Sequence, residues 1–579
     1  MQVESSFAGK APARGVEVST APFGSDVPLG EPSWYQNLNT PYYNASHIAW
    51  RAKLRDFFEK EVEPSASSRG SRLVVFLAFD RRGAFRWISE FRGLTTDAAE
   101  ARGTVARAPE RVSSSPALRD IPRRVHHSGA ARRPRDDPRD PVVSPKHRPN
   151  LTRRDAPREN LFPSPLFATA VVDDWDRKAS QNDHAACGEY IKTMYKKSAA
   201  YGILPACVGK PWPRQYTSAP EPAGYDYFHE LINVDEGSRC GGGIAWAMMG
   251  GLGIGMPPVL NFGIPGNPAL QERVVRECLA GEKIICLCIT EPGAGSDVSN
   301  LQCTARDAGD HFVVDGNKKW ITNGIYADYF TVAVRTGPPG SAHKGLSMLL
   351  LEKSMPGITV TKMDCMGVWP SGTTYIEFDG VKVPKANVVG KLNEGFKQVM
   401  YNFNHERWLL AGQAARMART CVEESLAFAR SRRTFGKFLI EHQAIQHKIG
   451  EMARQCEGLQ AWLENVTFQM NTMSKEEQNR KLGGHIALLK LSSSRVAEFC
   501  ASSAMQVLGG AGYTRTGKGA KVERIYREVK AYAIPGGSEE IMLNLAAGQF
   551  GFVQRRAPDP RDKKIKQLVD ELKRIKSKM

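Results

Sequence analysis

The chain lacks the cysteine patterns that would indicate a metal centre or a disulfide framework. Its 11 cysteines include no Cys-x-x-Cys pair, and Cys286 and Cys288 stand too close together for a usual zinc-binding spacing. An odd number of cysteines without regular spacing is typical of a reducing, intracellular environment, and no pattern selects one organelle. We therefore expect no metal and no disulfide bonds.

The sequence also lacks long apolar runs and the features of a secretory leader. No window of roughly 20 apolar residues stands out, so we expect no membrane span. Residues 1–30 contain Glu4 and Asp26 and have no apolar core, which argues against a secretory signal and favours a disordered N-terminus.

Basic residues outnumber acidic residues in two segments, and these segments carry most of the net charge of +18. Residues 65–170 carry a net charge of +10 and residues 555–579 carry +6, which leaves +2 for the rest. A nucleic-acid-binding domain would instead carry its basic residues on the folded body. We therefore expect no nucleic-acid partner, and we interpret residues 553–579 as a basic tail.

Residues 65–170 differ in composition from everything around them. They contain 20 arginines, one lysine and many serine, proline and alanine residues, without a periodic apolar face. Such a segment does not bury enough apolar surface to offset the entropy of ordering. We interpret it as a low-complexity basic insert that reflects an unspliced intron or a wrong exon boundary, with a regulatory insert as the alternative.

The remaining patterns predict helices, then strands, then helices. A capped helix is expected over 41–64, and helices with glycine-rich joints over 171–287. From 288 to 403 short strands alternate with Gly, Asp and Pro turns, which predicts a β-barrel or sandwich. From 404 to 552 long helices with short connections predict an antiparallel four-helix bundle, whose first helix starts at about Glu406.

Two strings in the predicted β domain suit a flat ligand. Cys288–Asp297 consists mostly of turn-forming residues, whose backbone N–H groups are free to face a ligand. Trp320–Gly324 places an aromatic ring beside a hydroxyl group, which suits stacking and hydrogen bonding to a planar ring system.

Together these strings resemble the flavin-binding β domain of the acyl-CoA dehydrogenase family. The resemblance implies a multidomain α+β fold: an N-terminal helical domain (31–64 and 171–287), a middle β domain (288–403) and a C-terminal four-helix bundle (404–552). It also implies FAD as the cofactor. The implied FAD-binding residues of the β domain are Leu287, Ile289, Thr290, Gly295, Ser296, Trp320, Ile321 and Thr322, with the Thr322 hydroxyl at flavin N5.

Strings in the C-terminal part resemble family segments that hold FAD across a subunit boundary. The implied residues are Arg432, Phe435, Gln443, Gln506, Gly509, Gly510, Ser538 and Glu540. A guanidinium group suits the pyrophosphate, and glycines allow close approach of the backbone. The resemblance therefore implies a homodimer or homotetramer.

The catalytic base is the unusual element. Many relatives carry a glutamate in the turn before the last helix, but the matching position here is Gly536. Members that resemble isovaleryl- and long-chain-specific dehydrogenases carry the base in the first C-terminal helix, and this position is Glu406 in Asn404-His-Glu-Arg-Trp408. We assign the base to Glu406, and a capping charge at a helix N-terminus is the alternative. The implied substrate-binding residues are Ser296, Asn404, Arg407, Gly536 and Gly537.

The predicted function is flavin-dependent α,β-dehydrogenation of an acyl-CoA thioester in fatty acid metabolism. Glu406 would take the α-proton and FAD N5 the β-hydride, because no side chain accepts hydride. An electron-transfer flavoprotein is one candidate acceptor. The alternatives are a flavin oxidase of the same fold that uses oxygen and a non-catalytic, nucleic-acid-binding member of the fold.

Overall fold

The computed structural model describes residues 25, 27, 29–36, 40–62, 78–79, 85–86, 170–338, 340–551, 567–569 and 571. The chain divides into two units, Arg69–Phe162 and the remainder, Met1–Ser68 with Pro163–Met579. In the first of these, the described residues form two short antiparallel strands, β1 (Ala78–Phe79) and β2 (Phe85–Arg86). The predictions for the N-terminus, the basic insert and the basic tail fall almost wholly outside the described residues.

The larger unit begins with a set of helices that matches the predicted N-terminal helical region. The predicted helix over 41–64 is α1 (Ala45–Phe57), continued by a π-helical turn over Phe58–Val62. The helices that follow are α2 (Ala170–Ser180), α3 (His184–Tyr201), α4 (Tyr227–Ser238), α5 (Gly242–Ala245), α6 (Gly251–Phe262) and α7 (Pro268–Leu279).

Helices α1 and α4 are capped in the same way, and their caps touch. Asp226 caps α4 and also accepts a hydrogen bond from His47 Nε2 (3.0 Å). His47, Asp226 and His229 place their ligand atoms within 4.8 Å of one another. However, His47 Nδ1 accepts the Asn44 N–H, so Nε2 carries a proton rather than a lone pair for a metal. The buried His229 belongs to this capping cluster.

Of the two glycine-rich strings predicted as joints, the one at Gly241–Gly243 does lie at the connection between α4 and α5, whereas Gly251–Gly255 lies inside a helix. This helix is nearly continuous, and a π-helical segment, Trp246–Gly250, connects α5 to α6 within it. The glycines let this helix approach the sheet closely: a Cβ at Gly251 would lie 2.6 Å from Ile285 O, and one at Gly255 would lie 2.9 Å from Cys286 C.

The same helix qualifies as a candidate membrane span by length and composition, which our expectation of no long apolar run overlooked. Gly242–Phe262 has a mean hydropathy of 1.3 in its most apolar window, and 78% of that window is buried within the protein. Core helices satisfy the same criterion when they are buried on all sides.

The middle β domain contains an eight-stranded sheet in the order β10-β7-β6-β4-β5-β9-β8, with β3 paired in parallel to β6. Five of the strands contain the short apolar runs from which strands are predicted, which are Phe312–Val314, Tyr329–Val334, Leu346–Leu351, Ile358–Val360 and Tyr375–Phe378. The strands are β3 (Ile285–Cys288), β4 (Thr304–Asp307), β5 (His311–Ile321), β6 (Tyr329–Arg335), β7 (Leu346–Glu352), β8 (Ile358–Lys362), β9 (Thr374–Pro384) and β10 (Val388–Val389). Both β6 and β7 are buried on both faces and form one hydrophobic core with the N-terminal helices.

The C-terminal part is helical, as predicted, and has its own hydrophobic core. Its long helices are α8 (Gly395–Ser431), α9 (Gln443–Thr472) and α11 (Gly483–Leu508), with α10 (Lys475–Lys481) between the last two. The hairpin β11–β12 (Arg433–Thr434 and Lys437–Phe438) follows α8. Shorter helices α12 (Ala520–Glu528), α13 (Lys530–Ala533) and α14 (Glu539–Gln549) complete it.

The predicted start of the first C-terminal helix is wrong in a way that matters for Glu406. Helix α8 begins at Gly395, so Glu406 lies about three turns inside it rather than at its N-terminus. The positive end of the helix dipole acts only within the first turn, so it does not stabilise this carboxylate. The structure thereby excludes the capping-charge alternative.

Buried ion pairs fix α8 against the N-terminal helices. Arg416 on α8 donates to Glu31 (2.9 Å), and Arg55 on α1 donates both to Glu31 (3.0 Å) and to Glu236 on α4 (2.8 Å). All of these side chains are buried, so the network resists small displacements of α8. The position of Glu406 therefore depends on a rigid support.

Candidate active site

The two strings predicted to bind a flavin meet at one edge of the sheet. The turn after β3 is closed by reciprocal backbone hydrogen bonds between Glu291 and Ala294 (3.1 and 3.2 Å). The Lys319 N–H donates to Thr290 O (2.8 Å), which joins this turn to the end of β5. Thr290 and Trp320 are therefore neighbours in space although 30 positions separate them in the sequence.

A buried ion pair holds this junction together. Lys318 Nζ donates to Glu291 Oε1 (2.7 Å) and to Ile289 O (3.0 Å), and Lys318 is fully buried. Glu291 also accepts the N–H groups of Gln302 (2.6 Å) and Cys303 (3.0 Å). The carboxylate is thus saturated, and one side-chain pair fixes both strings.

The surface beside this junction fits a planar aromatic group. Trp320 is 51% exposed, an unusual exposure for a tryptophan, and its φ of +59° places it in the left-handed region. Thr322 is half-buried two residues later, and a Cβ added at Gly250 would lie 3.4 Å from its methyl group. The exposed indole of Trp320 and the Thr322 hydroxyl are groups that could hold a planar ring such as the isoalloxazine of FAD.

The other predicted FAD-binding residues divide by location. In the β domain, Ile289 and Ile321 are buried, Leu287 is half-buried, and Gly295 and Ser296 are exposed on the turn. On the C-terminal surface the exposed residues are Arg432, Phe435, Gln443, Gln506, Gly509, Gly510 and Glu540. Phe435 is 96% exposed at the tip of the β11–β12 hairpin. Ser538 serves as the cap of α14.

Glu406 lies on the wall of a cavity between α4, α6 and α8. The cavity has a volume of about 110 Å³, and Thr322 and Gly536 line it together with Glu406. The remaining lining residues are Cys207, Val234, Trp246, Met249, Gly250, Gly253, Ile254, Leu409, Leu410, Gln413 and Pro535. The predicted base, the predicted flavin contact and the predicted substrate loop thus border the same space.

Burial dominates the electrostatics of Glu406. Loss of water raises the pKa of this carboxyl to about 7, against the opposing effects of a hydrogen bond from Asn402 Nδ2 (2.8 Å) and the charges of Arg407 and Lys475. Burial likewise lowers the pKa of Arg407. A carboxyl group with a pKa near neutrality is suited to accept a proton and release it again.

Three basic contacts hold the loop that carries Gly536 and Gly537. Arg407 Nε donates to Gly536 O (2.8 Å), and the buried Lys490 on α11 donates to Ala533 O (2.7 Å) and Gly537 O (2.8 Å). Gly536 has a φ of +70° and Gly537 one of +101°, conformations that favour glycine. A Cβ at Gly536 would lie 2.9 Å from Leu410 Cδ1, so the loop passes close over the cavity.

The structure also identifies residues that the sequence did not reveal. Asn402 and Lys490 hold the base and the loop, and the pair Lys318–Glu291 holds the flavin turn. Only Asn402 had a sequence signal, since it precedes Glu406 by four residues and so lies on the same helix face. Asn404, predicted to contact substrate, accepts a hydrogen bond from Arg407 Nη1 (3.2 Å) and donates one to Asn479 (3.2 Å).

Comparisons with known proteins agree with this geometry. Residues 286–381 match the middle domain of acyl-CoA dehydrogenases, and residues 393–550 match their C-terminal domain. The chain is 40% identical to the acyl-CoA dehydrogenase apdG of Emericella nidulans over 56% of this chain and 74% of the relative. It is 36% identical to an acyl-CoA dehydrogenase of Alternaria alternata over 63% of this chain and 85% of the relative.

A solved structure gives the same result. A probable acyl-CoA dehydrogenase from Mycobacterium abscessus aligns over 68% of this chain and 100% of its own length, with 31% identity and a TM-score of 0.57. Fold and site thus define a flavin-dependent oxidoreductase. The chain belongs to the acyl-CoA dehydrogenase family, whose cofactor is FAD. The predictions of family, fold class, enzyme class and cofactor are confirmed.

Proposed function

We propose that the protein removes the α-proton and the β-hydride of an acyl-CoA thioester, with Glu406 as the catalytic base. The observation that carries this proposal is the position of a buried carboxyl with a pKa of about 7 in the cavity bordered by Thr322 and Gly536. Bound FAD supplies the acceptor for the hydride. The side chains of this chain supply the base, the orientation of the substrate and the exclusion of water.

Gly536 supports the second half of this proposal. An α-proton becomes acidic enough to remove only when the thioester carbonyl is polarised by hydrogen-bond donors. The Gly536 N–H belongs to the loop whose carbonyls Arg407 and Lys490 hold, so this donor is preorganised beside Glu406. The missing side chain of Gly536 does not weaken this role, because the backbone N–H is the hydrogen-bond donor. We assign Gly537, Asn404 and Ser296 to the surrounding acyl-CoA contacts.

The proposal extends to the FAD-binding residues and to a partner subunit. Ile289, Thr290, Trp320 and Thr322 would contact the ring in the same chain. Arg432, Phe435, Gln443, Gln506, Gly509 and Gly510 are exposed on the C-terminal surface, where they would reach the FAD of a second subunit. This supports a homodimer or homotetramer, and the reduced flavin would pass its electrons to an acceptor such as an electron-transfer flavoprotein.

The test is an anaerobic titration of the purified, FAD-loaded protein with acyl-CoA thioesters. Dehydrogenation bleaches the flavin absorbance and yields the enoyl-CoA, which mass spectrometry identifies by the loss of two hydrogens. Turnover with oxygen as the only acceptor would instead assign an oxidase. No bleaching by any acyl-CoA would contradict the proposal.

The pH dependence follows from the raised pKa of Glu406. Only the ionised carboxylate accepts a proton, so kcat/KM should fall about tenfold per pH unit below pH 7 and level off above it. Asn402 favours the ionised form through its hydrogen bond. In Asn402→Leu, the pH below which kcat/KM falls (the acidic limb of the profile) should therefore rise by roughly one unit. Anaerobic flavin reduction at a series of pH values measures both the acidic limb of the wild type and its shift in the variant. A limb near pH 4.5, or one that Asn402→Leu does not move, would contradict the assignment.

Lys490→Met should loosen the loop that carries Gly536. The substitution keeps the length of the side chain but leaves Ala533 O and Gly537 O without their buried donor. We expect kcat for flavin reduction to fall about tenfold or more with little change in KM, because the donor is displaced from the developing oxyanion. Lys481→Met removes a charge from the exposed Lys481 and serves as the control. Equal losses in both variants would exclude a positioning role.

A further inference from the structure

Packed side chains stand behind one wall of the cavity next to Glu406. Met249 lines the cavity, and its side chain extends towards α1 and α4. A Cβ added at Gly237 would lie 2.5 Å from Met249 Cε and 3.2 Å from Phe58 Cζ, so these groups fill the space behind the cavity. Met249 therefore forms the floor of the cavity on the side of α4.

Trp246 forms a second wall of the cavity, and its side chain is also held in place. Trp246 Nε1 donates to Gln413 Oε1 (2.9 Å), and the indole packs against Tyr532 with ring centroids 5.3 Å apart. An indole held by a hydrogen bond and a ring contact does not swing aside at low cost. Trp246 thus limits the cavity on the side of α5, as Met249 limits it on the side of α4.

The free volume sets a limit on the ligand. The cavity measures about 110 Å³. An apolar cavity of about 150 Å³ accommodates one benzene molecule, which has six carbon atoms. A space of about 110 Å³ therefore accommodates roughly four carbons, while each further methylene group would have to displace packed side chains.

We infer that this cavity selects short acyl groups of about four to five carbons, with Met249 and Trp246 as the residues that set the limit. The inference rests on the proposed function, because it identifies the cavity as the acyl site of the thioester. It goes beyond that function by naming the substrate class. Longer acyl chains are excluded by the floor and not by the catalytic groups.

The experiment compares butyryl-CoA with octanoyl-CoA in anaerobic flavin reduction by the FAD-loaded full chain. We expect kcat/KM for octanoyl-CoA to be at least about 100-fold lower, since four added methylene groups find no space. Met249→Ala should raise the octanoyl/butyryl ratio by at least about tenfold. It opens room for roughly three methylene groups, and each buried methylene is worth about fourfold in affinity.

Met248→Ala is the matched control. Met248 is the adjacent residue, is equally buried and loses the same atoms, but it does not line the cavity. Its octanoyl/butyryl ratio should stay at the wild-type value. The ratio does not depend on the fraction of active protein, so partial unfolding does not obscure it. Met249→Val provides a milder enlargement if Met249→Ala does not fold.

The outcomes separate this inference from the proposed function. Efficient reduction by octanoyl-CoA in the wild type, or equal ratios for Met249→Ala and Met248→Ala, would overturn the inference and leave the proposed function intact. Absence of reduction by every acyl-CoA, in the wild type and in both variants, would overturn the proposed function itself.

Discussion

Replacing Glu406 by glutamine is expected to slow acyl-CoA-driven flavin reduction by about 10²–10⁴-fold, the range that a general base contributes. The amide keeps the shape of the side chain and still accepts the hydrogen bond from Asn402, but it does not take up the α-proton. Glu406 is not among the residues predicted to bind FAD, so FAD should remain bound. The flavin spectrum and the rate of bleaching measure the two effects separately.

Glu476→Gln is the matched control for this change. Glu476 lies on the short helix α10, where it is exposed, and the substitution removes the same charge. We expect wild-type rates from it. Bleaching by Glu406→Gln at a rate within about tenfold of the wild type would show that another group takes the proton.

The sequence singled out Glu406 as the candidate base but did not reveal the helix that surrounds it. The string Asn404–Trp408 and the glycine at position 536 led to Glu406 through resemblance. The predicted start of the helix was wrong, however, because α8 starts at Gly395 and the carboxyl is not at a helix N-terminus. The helix start was missed because 395–405 contains Gly395 and several aromatic and asparagine residues, which are weak helix formers. Tertiary packing determines the helix there.

The strands were predicted more reliably than the helix–sheet contacts. Runs such as Tyr329–Val334 are apolar on both faces, and they form the doubly buried strands β6 and β7. The glycines over 241–255 looked like joints, because sequence alone does not distinguish a flexible glycine from one that a neighbouring strand requires. The structure shows that Gly251 is of the second kind, because Asn323 Oδ1 accepts the Gly251 N–H (2.7 Å). Contacts between residues so far apart in sequence leave no local pattern.

The largest expected effect on stability comes from Lys318→Met. This change leaves Glu291 buried with two backbone N–H donors but no cation, and an unpaired buried charge costs about 3–5 kcal/mol. The turn that joins Thr290 to Lys319 should loosen at the same time, so we expect weaker FAD retention as well as a lower midpoint of denaturation. Chemical denaturation of the apoprotein and FAD release measure the two effects. Lys382→Met, at an exposed position of β9, should change neither by more than about 0.5 kcal/mol.

The double variant Lys318→Met with Glu291→Gln determines which part of that loss is due to charge. The N–H groups of Gln302 and Cys303 bond to different carboxylate oxygens, so glutamine at 291 keeps a carbonyl oxygen for one of them and removes the buried negative charge. If desolvated charge dominates, the double variant should be more stable than Lys318→Met alone by about 1–3 kcal/mol. It should still retain FAD poorly, because the hydrogen bond from Lys318 to Ile289 O is absent and the turn is no longer held. A double variant as unstable as the single one would mean that packing of the lysine stem, rather than its charge, supports the flavin turn.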